Sequence, residues 1–211
     1  MNNPPDTLLL IAPGCPHCQS VLTSLTELVK KGDIGHLEVT NIAVHPEAAQ
    51  EAGTRSVPWM RIGPYELAGN YSLGEIKNWV EKAAKGDSSQ DYIRELLEQQ
   101  HMDQAVAYLK QHPEQLPALL DLMQREDNSL GVSFGVSAIF EALAGSQALH
   151  QLAAQLGPLT RSDKANIRGD AAYYLGLTGN PEARSWLEPL LADPQEDVRE
   201  IAREALDSLP S

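Results

Sequence analysis

The chain has no hydrophobic run long enough to cross a membrane. Its longest early apolar stretch is Leu8 to Ala12, preceded by Asn2, Asn3 and Asp6. A secretory leader needs a basic start and a longer apolar region, so a soluble, cytoplasmic protein is expected. Basic residues are few: 16 Lys/Arg stand against 29 Asp/Glu in 211 residues, a formal net charge of −13. An acidic surface repels phosphate backbones and anionic lipid, so neither nucleic acid nor membrane is expected as a partner. Cysteine is scarcer still, with Cys15 and Cys18 alone. A bridge between residues so close removes little chain entropy, which excludes a structural staple as its purpose. Apolar material is not lacking: 42% of residues are hydrophobic, enough for a packed core and no argument for disorder.

The length allows one large or two small domains, and the charge favours two. Residues 1–86 hold seven Lys/Arg and nine Asp/Glu, whereas residues 87–211 hold nine and twenty. The first part reads as strand over Thr7–Ala12, ended by Pro13-Gly14, then helix through Val21, Leu22, Leu25, Leu28 and Val29, closed by Gly32. His36 to Val44 alternates as a second strand, His45-Pro46 breaks it, and a short helix follows. Trp59–Ile62 and Tyr65–Ala68 read as a hairpin turned by Gly63-Pro64. Ser72 and Glu75 form a capping box for a last helix, ended by Gly86, whose apolar face is Ile76, Trp79, Val80 and Ala83. The order is β-α-β-α-β-β-α. Asp87 to Gln90 reads as a polar hinge, which predicts an α/β domain over 1–86 and an all-α domain over 87–211.

Helical patterns fill the second part, broken at His112-Pro113, near Asn128, and at Gly157-Pro158, Asn180-Pro181 and Asp193-Pro194. They also repeat. "NIRGDAAYYL" (166–175) aligns with "DVREIAREAL" (197–206) at an offset of 31, so that Arg168 matches Arg199. "FEALAGSQALHQLAAQL" (140–156) aligns with "YLGLTGNPEARSWLEPL" (174–190) at an offset of 34, so that Gly145 matches Gly179. A degenerate period of this size, each unit a helix pair, signals an α-solenoid. With a basic residue after an apolar one, then small residues, then Leu, "VREIAREAL" and "IRGDAAYYL" resemble short bacterial HEAT repeats. The resemblance is closest over 160–208 and looser over 130–159. Arg168 and Arg199 are expected to pair with a neighbouring repeat's carboxylate.

"APGCPHCQS" (12–20) places both cysteines where a strand turns into a helix. By themselves they admit three readings: a redox dithiol, half of a zinc site completed by residues such as His36 and His45, or inert thiols. The thiolate is the attacking species, and a helix N-terminus favours its charge. Pro16 fits a first helical turn, and His17 can add positive charge near the sulfur. Cys15 is thus expected as the exposed nucleophile and Cys18 as the resolving thiol.

A C-x-x-C between the first strand and first helix, in this β-α-β-α-β-β-α order and with Val57-Pro58 ahead of the hairpin, resembles the thioredoxin superfamily over residues 5–85. The resemblance implies a cis Pro58 facing the dithiol. It also implies main-chain groups of Ser56 and Val57 that pair with a client. The compact length and "VPWMRIGPYELAGNYS" resemble glutaredoxin and its small relatives. Ala68 and Asn70 depart from that family's Gly-Gly and acidic residue, which argues against glutathione. Gly14 replaces thioredoxin's Trp, and Leu9 stands where thioredoxin buries an Asp, leaving water or His17 to take the proton of Cys18. Trp59 reads equally as a client contact or a hairpin core residue.

The expectation is a thiol–disulfide oxidoreductase acting on protein disulfides through Cys15 and Cys18. Pro16 and His17 would support the dithiol, and Ser56, Val57 and Pro58 would bind substrate. No metal and no cofactor beyond the dithiol are implied. The partners expected are a protein client with a disulfide or thiol, and a recycling reductase or oxidant. The helical repeats would bind one of these. The rival is a HEAT scaffold whose thioredoxin-like domain senses redox state without turnover.

Overall fold

Leu9 and Leu10 have no solvent exposure, and the strand that carries them is the second of four in a small mixed sheet. The computed structural model describes residues 4–86 and 89–210, and the chain divides into two units, Met1–Ser88 and Ser89–Ser211.

The first unit follows the order β1 (Asp6–Ile11), α1 (Cys18–Lys31), β2 (His36–Asn41), α2 (Pro46–Glu51), β3 (Trp59–Ile62), β4 (Tyr65–Ala68) and α3 (Leu73–Lys85). The sheet runs β2-β1-β3-β4. β1 pairs parallel with β2 (Leu9 with Val39), and β3 antiparallel with both β1 (Leu9 with Met60) and β4 (Met60 with Leu67). Because side chains alternate across a strand, Leu9, Met60 and Leu67 share one face, and all three are almost fully buried. Helices α1 and α3 pack on each other, and α3 also meets β3. Their buried stripes are Val21, Leu25 and Leu28, and Ile76, Trp79 and Val80. Each such residue contributes roughly 1.5–3 kcal/mol by leaving water. The Ser72–Glu75 capping box forms, and Gly32 and Gly86 end their helices in the left-handed region.

Strand β2 stops at Asn41, three residues before the expected Val44. The Asn41 side-chain oxygen accepts from the Ala43 N–H (3.0 Å), and its carbonyl accepts from Val44 and His45 (3.1 and 2.9 Å). This side-chain-closed turn competes with the ladder and wins. At the polar segment 87–90, Asp87 and Ser88 lie outside the described residues. Ser89 and Gln90 are not hinge but the first turn of α4 (Ser89–Glu98).

The second unit continues with α5 (Met102–Gln111), α6 (Pro117–Gln124), α7 (Leu130–Ala142), α8 (Gln147–Leu156), α9 (Ala165–Leu177), the short α10 (Arg184–Leu187) and α11 (Glu196–Ser208). Every break read from the sequence falls between helices, and two 3₁₀ segments, Gly157–Arg161 and Glu188–Ala192, follow α8 and α10 at matching places in the repeat. The turn at Gln100, a non-glycine residue at φ 62°, had no sequence signal.

The repeat is visible atom by atom. The Arg168 guanidinium Nη1 donates to the carbonyls six and five residues back, Ser162 (2.9 Å) and Asp163 (3.2 Å). Arg199 does the same to Asp193 (2.7 Å) and Pro194 (3.2 Å). Arg168 also reaches the next unit, with Nε 2.6 Å and Nη2 2.9 Å from the two carboxylate oxygens of Asp193. The matched Gly145 and Gly179 both adopt positive φ (69° and 62°), and the Gly145 N–H bonds the Leu177 carbonyl at 3.0 Å.

Candidate functional site

Leu10 lies opposite Trp59 across the β1–β3 ladder. The chain leaving β1 after Ile11 and the chain entering β3 at Trp59 therefore stand side by side at one end of the sheet. The first carries Cys15 and Cys18; the second carries Ser56, Val57 and Pro58. The sheet register thus brings two segments some 40 residues apart in sequence to the same edge.

Pro13 and Gly14 turn the chain out of β1, with Gly14 at φ 76°. The Cys15 N–H then returns to the Ala12 carbonyl (3.4 Å). Cys15 and Cys18 are joined by a disulfide of 2.12 Å, with Cα atoms 5.5 Å apart, inside the range such bonds occupy. Cys18 is 6% exposed, whereas Cys15 is half-buried. Of the two, Cys15 is the more accessible to an incoming sulfur.

Pro16 was expected in the first helical turn. The helix instead begins at Cys18, with Pro16 and His17 in the turn before it. The reason lies in the sulfur. The Cys18 N–H donates to Cys15 Sγ at 3.1 Å, a side chain accepting from the N–H three residues on, as an N-cap side chain does. The His17 carbonyl accepts the next bond, from Val21 (3.2 Å). One backbone donor at the helix start therefore points at the Cys15 sulfur, where it would stabilise a thiolate. His17 is exposed, and its imidazole has no hydrogen-bond partner among the described residues.

The Val57–Pro58 peptide is cis. Pro58 is buried, and its carbonyl accepts from the Gly69 N–H (2.9 Å), tying this loop to the end of β4. Val57 is half-buried, and its main-chain groups have no partner among the described residues. Ser56 differs: its N–H donates to the Thr54 hydroxyl, which donates to the Ser56 carbonyl (3.2 Å each). Of the two residues expected to offer main-chain groups, Val57 has its own unpaired among the described residues and Ser56 is already engaged. Thr54 carried no signal in the sequence, because a hydroxyl two residues from its backbone target is an ordinary loop feature.

Trp59 has no exposure, which settles its two readings in favour of the core, and its indole N–H has no partner among the described residues. Leu9 is equally buried, so no acid sits at that strand position. Glu66 on β4 does not replace it. Glu66 pairs across the ladder with Arg61, on the sheet face opposite Leu9, Met60 and Leu67. Burial pushes the Glu66 carboxyl above its ordinary range, and Arg61 opposes this.

No group of three or more His, Cys, Asp or Glu suited to a metal occurs among the described residues. His45, a candidate in the zinc reading, pairs with Glu47 (2.9 Å). Among the same residues no helix is long and apolar enough to cross a membrane.

Two family models match the chain: a thioredoxin domain over residues 7–81 and HEAT repeats over residues 136–207. No curated protein matches it. The first match spans β1 to most of α3 and includes both cysteines and Pro58; the second spans the helices cross-linked by Arg168 and Asp193. The chain therefore contains a thioredoxin domain and, C-terminal to it, HEAT repeats.

Proposed function

We propose that this protein is a thiol–disulfide oxidoreductase that acts on protein disulfides through Cys15 and Cys18. The observation that carries the reading is the asymmetry of the pair. Cys15 is the more accessible and receives the Cys18 N–H, Cys18 is shielded, and Val57, in the segment that enters β3 at the same end of the sheet, has main-chain groups unpaired among the described residues.

In the reducing direction, the Cys15 thiolate attacks one sulfur of a client disulfide. That S–S bond breaks, the client's other sulfur leaves as a thiolate and takes up a proton, and a mixed disulfide joins Cys15 to the client. Cys18 then loses its proton to water or to His17 and attacks Cys15 Sγ. The client's second thiolate leaves, two electrons have passed to the client, and the Cys15–Cys18 disulfide remains. A dithiol reductase restores the pair by the same exchange. An oxidant in its place would run the cycle backwards. Pairing of client backbone with Val57 would hold the scissile disulfide at Cys15. No cofactor beyond the dithiol enters. Asn70 and Ala68 argue for a protein rather than glutathione as the exchanging partner, and the HEAT repeats would bind the client or the recycling protein. The reading places the protein in the cytoplasm. The helix-start N–H favours the thiolate form, and positive charge at position 17 would add to it, so a reduction potential above the roughly −270 mV of thioredoxin is expected.

Reduction of insulin by the full chain, with dithiothreitol as donor, tests this. Wild type should accelerate precipitation of the B chain, Cys15→Ser should abolish the acceleration, and Cys18→Ala should accumulate a mixed disulfide with its client. Absence of turnover by wild type with any common reductant would leave the redox-sensing scaffold as the better reading. The half-exposed Cys15 speaks against that rival, which a buried sulfur would have favoured.

A further inference from the structure

A groove of about 300 Å³ opens in the helical unit between the end of α6, the start of α7 and α9, with Arg125, Asn128, Phe134, Ser137, Asp170 and Tyr174 in its lining. Its charges are unbalanced. The Arg125 guanidinium is already answered: Nε and Nη2 lie 2.8 and 2.7 Å from the two oxygens of Asp127, and Arg94 approaches the same carboxylate at 3.2 Å. Those arginines hold the Asp127 carboxyl well below the usual carboxylate range. Asp170 is half-buried, its carboxylate has no hydrogen bond or ion pair among the described residues, and burial pushes it upward. A carboxylate withdrawn from water without a cation is a cost that an incoming cation relieves.

The rest of the lining specifies the cation. Asn128 donates from Nδ2 to the Leu122 carbonyl (2.6 Å), while its Oδ1 is buried with no donor. The Tyr174 ring is fixed, stacked on Phe140 with centroids 3.9 Å apart, its hydroxyl 2.8 Å from Ser137 Oγ. Phe134 is 71% exposed, and Leu130, one helical turn before it on the same face, is 77% exposed. An unpaired carboxylate and a bare aromatic ring in one groove fit a guanidinium. It is permanently charged, has five N–H donors, and is flat enough to stack on an aromatic face. A lysine would answer the charge alone.

We propose that this groove docks a partner protein through an arginine whose guanidinium pairs with Asp170 and lies on Phe134, with an apolar neighbour of that arginine covering Leu130. This rests on the reading that the helical unit recruits a protein, and not on the chemistry of Cys15 and Cys18.

The probe is the tripeptide Ac-Leu-Arg-Leu-amide, titrated into the ¹⁵N-labelled full chain and followed by amide chemical shifts. Saturable shifts confined to residues 123–137 and 166–174 are expected. The same peptide with norleucine for arginine should bind about tenfold more weakly, as should the arginine peptide to Asp170→Asn, each losing one charge-assisted pair. Phe134→Ser should weaken binding without changing the melting temperature. Asp170→Asn should melt no lower than wild type, because it removes an unpaired charge; a lower melting point would mark Asp170 as a structural residue and overturn the proposal. So would shifts elsewhere, no saturation, or equal binding of the norleucine peptide. Self-association by sedimentation, lost in Asp170→Asn, would assign the groove to a second copy of this chain and overturn the partner reading. Failure of insulin reduction would sink the redox reading and leave this titration standing.

Discussion

At the dithiol and in the Pro58 loop the bonds belong to the main chain: the Cys18 N–H on sulfur and the Gly69 N–H on the Pro58 carbonyl, with the backbone of Val57 unpaired among the described residues. Three ion pairs of that unit lie at its periphery. The pairs Lys31–Glu27, Lys77–Glu81 and His45–Glu47 all have side chains at least 45% exposed, where an ion pair contributes about 0–1 kcal/mol. In the helical unit a buried side-chain pair joins the repeats, beside the Gly145–Leu177 backbone bond. Arg168 and Asp193 are 12% and 4% exposed and bonded through both carboxylate oxygens. A backbone-built site keeps its geometry when one side chain changes, whereas a joint built from one buried pair loses it. Single substitutions should therefore weaken the two units very differently.

Asp193→Ala is the severest test. It leaves the Arg168 guanidinium shielded with its charge unanswered, and removing one partner of a buried pair costs about 3 kcal/mol. Glu81→Ala in the first unit should cost no more than about 0.5 kcal/mol. Urea unfolding followed by circular dichroism measures both, and equal losses would break the contrast. Acid gives an independent reading. The hydrogen bonds from Arg168 hold the Asp193 carboxyl below its ordinary value. Its contribution is thus complete above the unfolded-state value of about 4 and is lost as the pH falls through the lower, folded-state value. That acid-dependent loss should be absent from Asp193→Ala.

The same substitution at two glycines separates close packing from backbone conformation. Gly157 has helical angles, but a Cβ there would fall 2.3 Å from the Trp186 ring, so Gly157→Ala should cost about 2 kcal/mol by overpacking. Gly14 at φ 76° has nothing within 4 Å, so Gly14→Ala meets only the left-handed penalty, about 1 kcal/mol. Urea midpoints should rank the pair in that order. The reverse ranking would mean that Trp186 moves aside freely.

Legibility followed the range of the signals. The β-α-β-α-β-β-α order, the hairpin and the Ser72–Glu75 cap rest on neighbours a few residues apart, and each is present. The repeat was readable because Arg168 and Arg199 perform one task twice, capping the carbonyls six and five residues back. Where reading failed, a side chain had taken over a backbone bond: Asn41 ending β2 early, Cys15 Sγ displacing the helix start to Cys18, and Thr54 engaging Ser56. The Asp170 groove was illegible for another reason. Its lining comes from three helical elements, and the missing partner of Asp170 is a fact about all of them together.

Thr54 offers the finest test of the backbone-built site. Its hydroxyl accepts from the Ser56 N–H and donates to the Ser56 carbonyl, both at 3.2 Å in an exposed loop. Removing it in Thr54→Val should cost only about 0.5 kcal/mol, the low end for such bonds. The kinetic effect is more telling than the stability. If client backbone pairs along the segment before Pro58, freeing Ser56 extends the pairing by one residue. The KM for insulin should then fall about twofold, with kcat unchanged, because the added bonds bind ground state and transition state alike. An unchanged KM would confine client pairing to Val57. A fall in kcat would instead show that Thr54 helps hold the Pro58 loop against the dithiol, so that one side chain does position this site and the contrast with the Arg168–Asp193 joint is narrower than drawn.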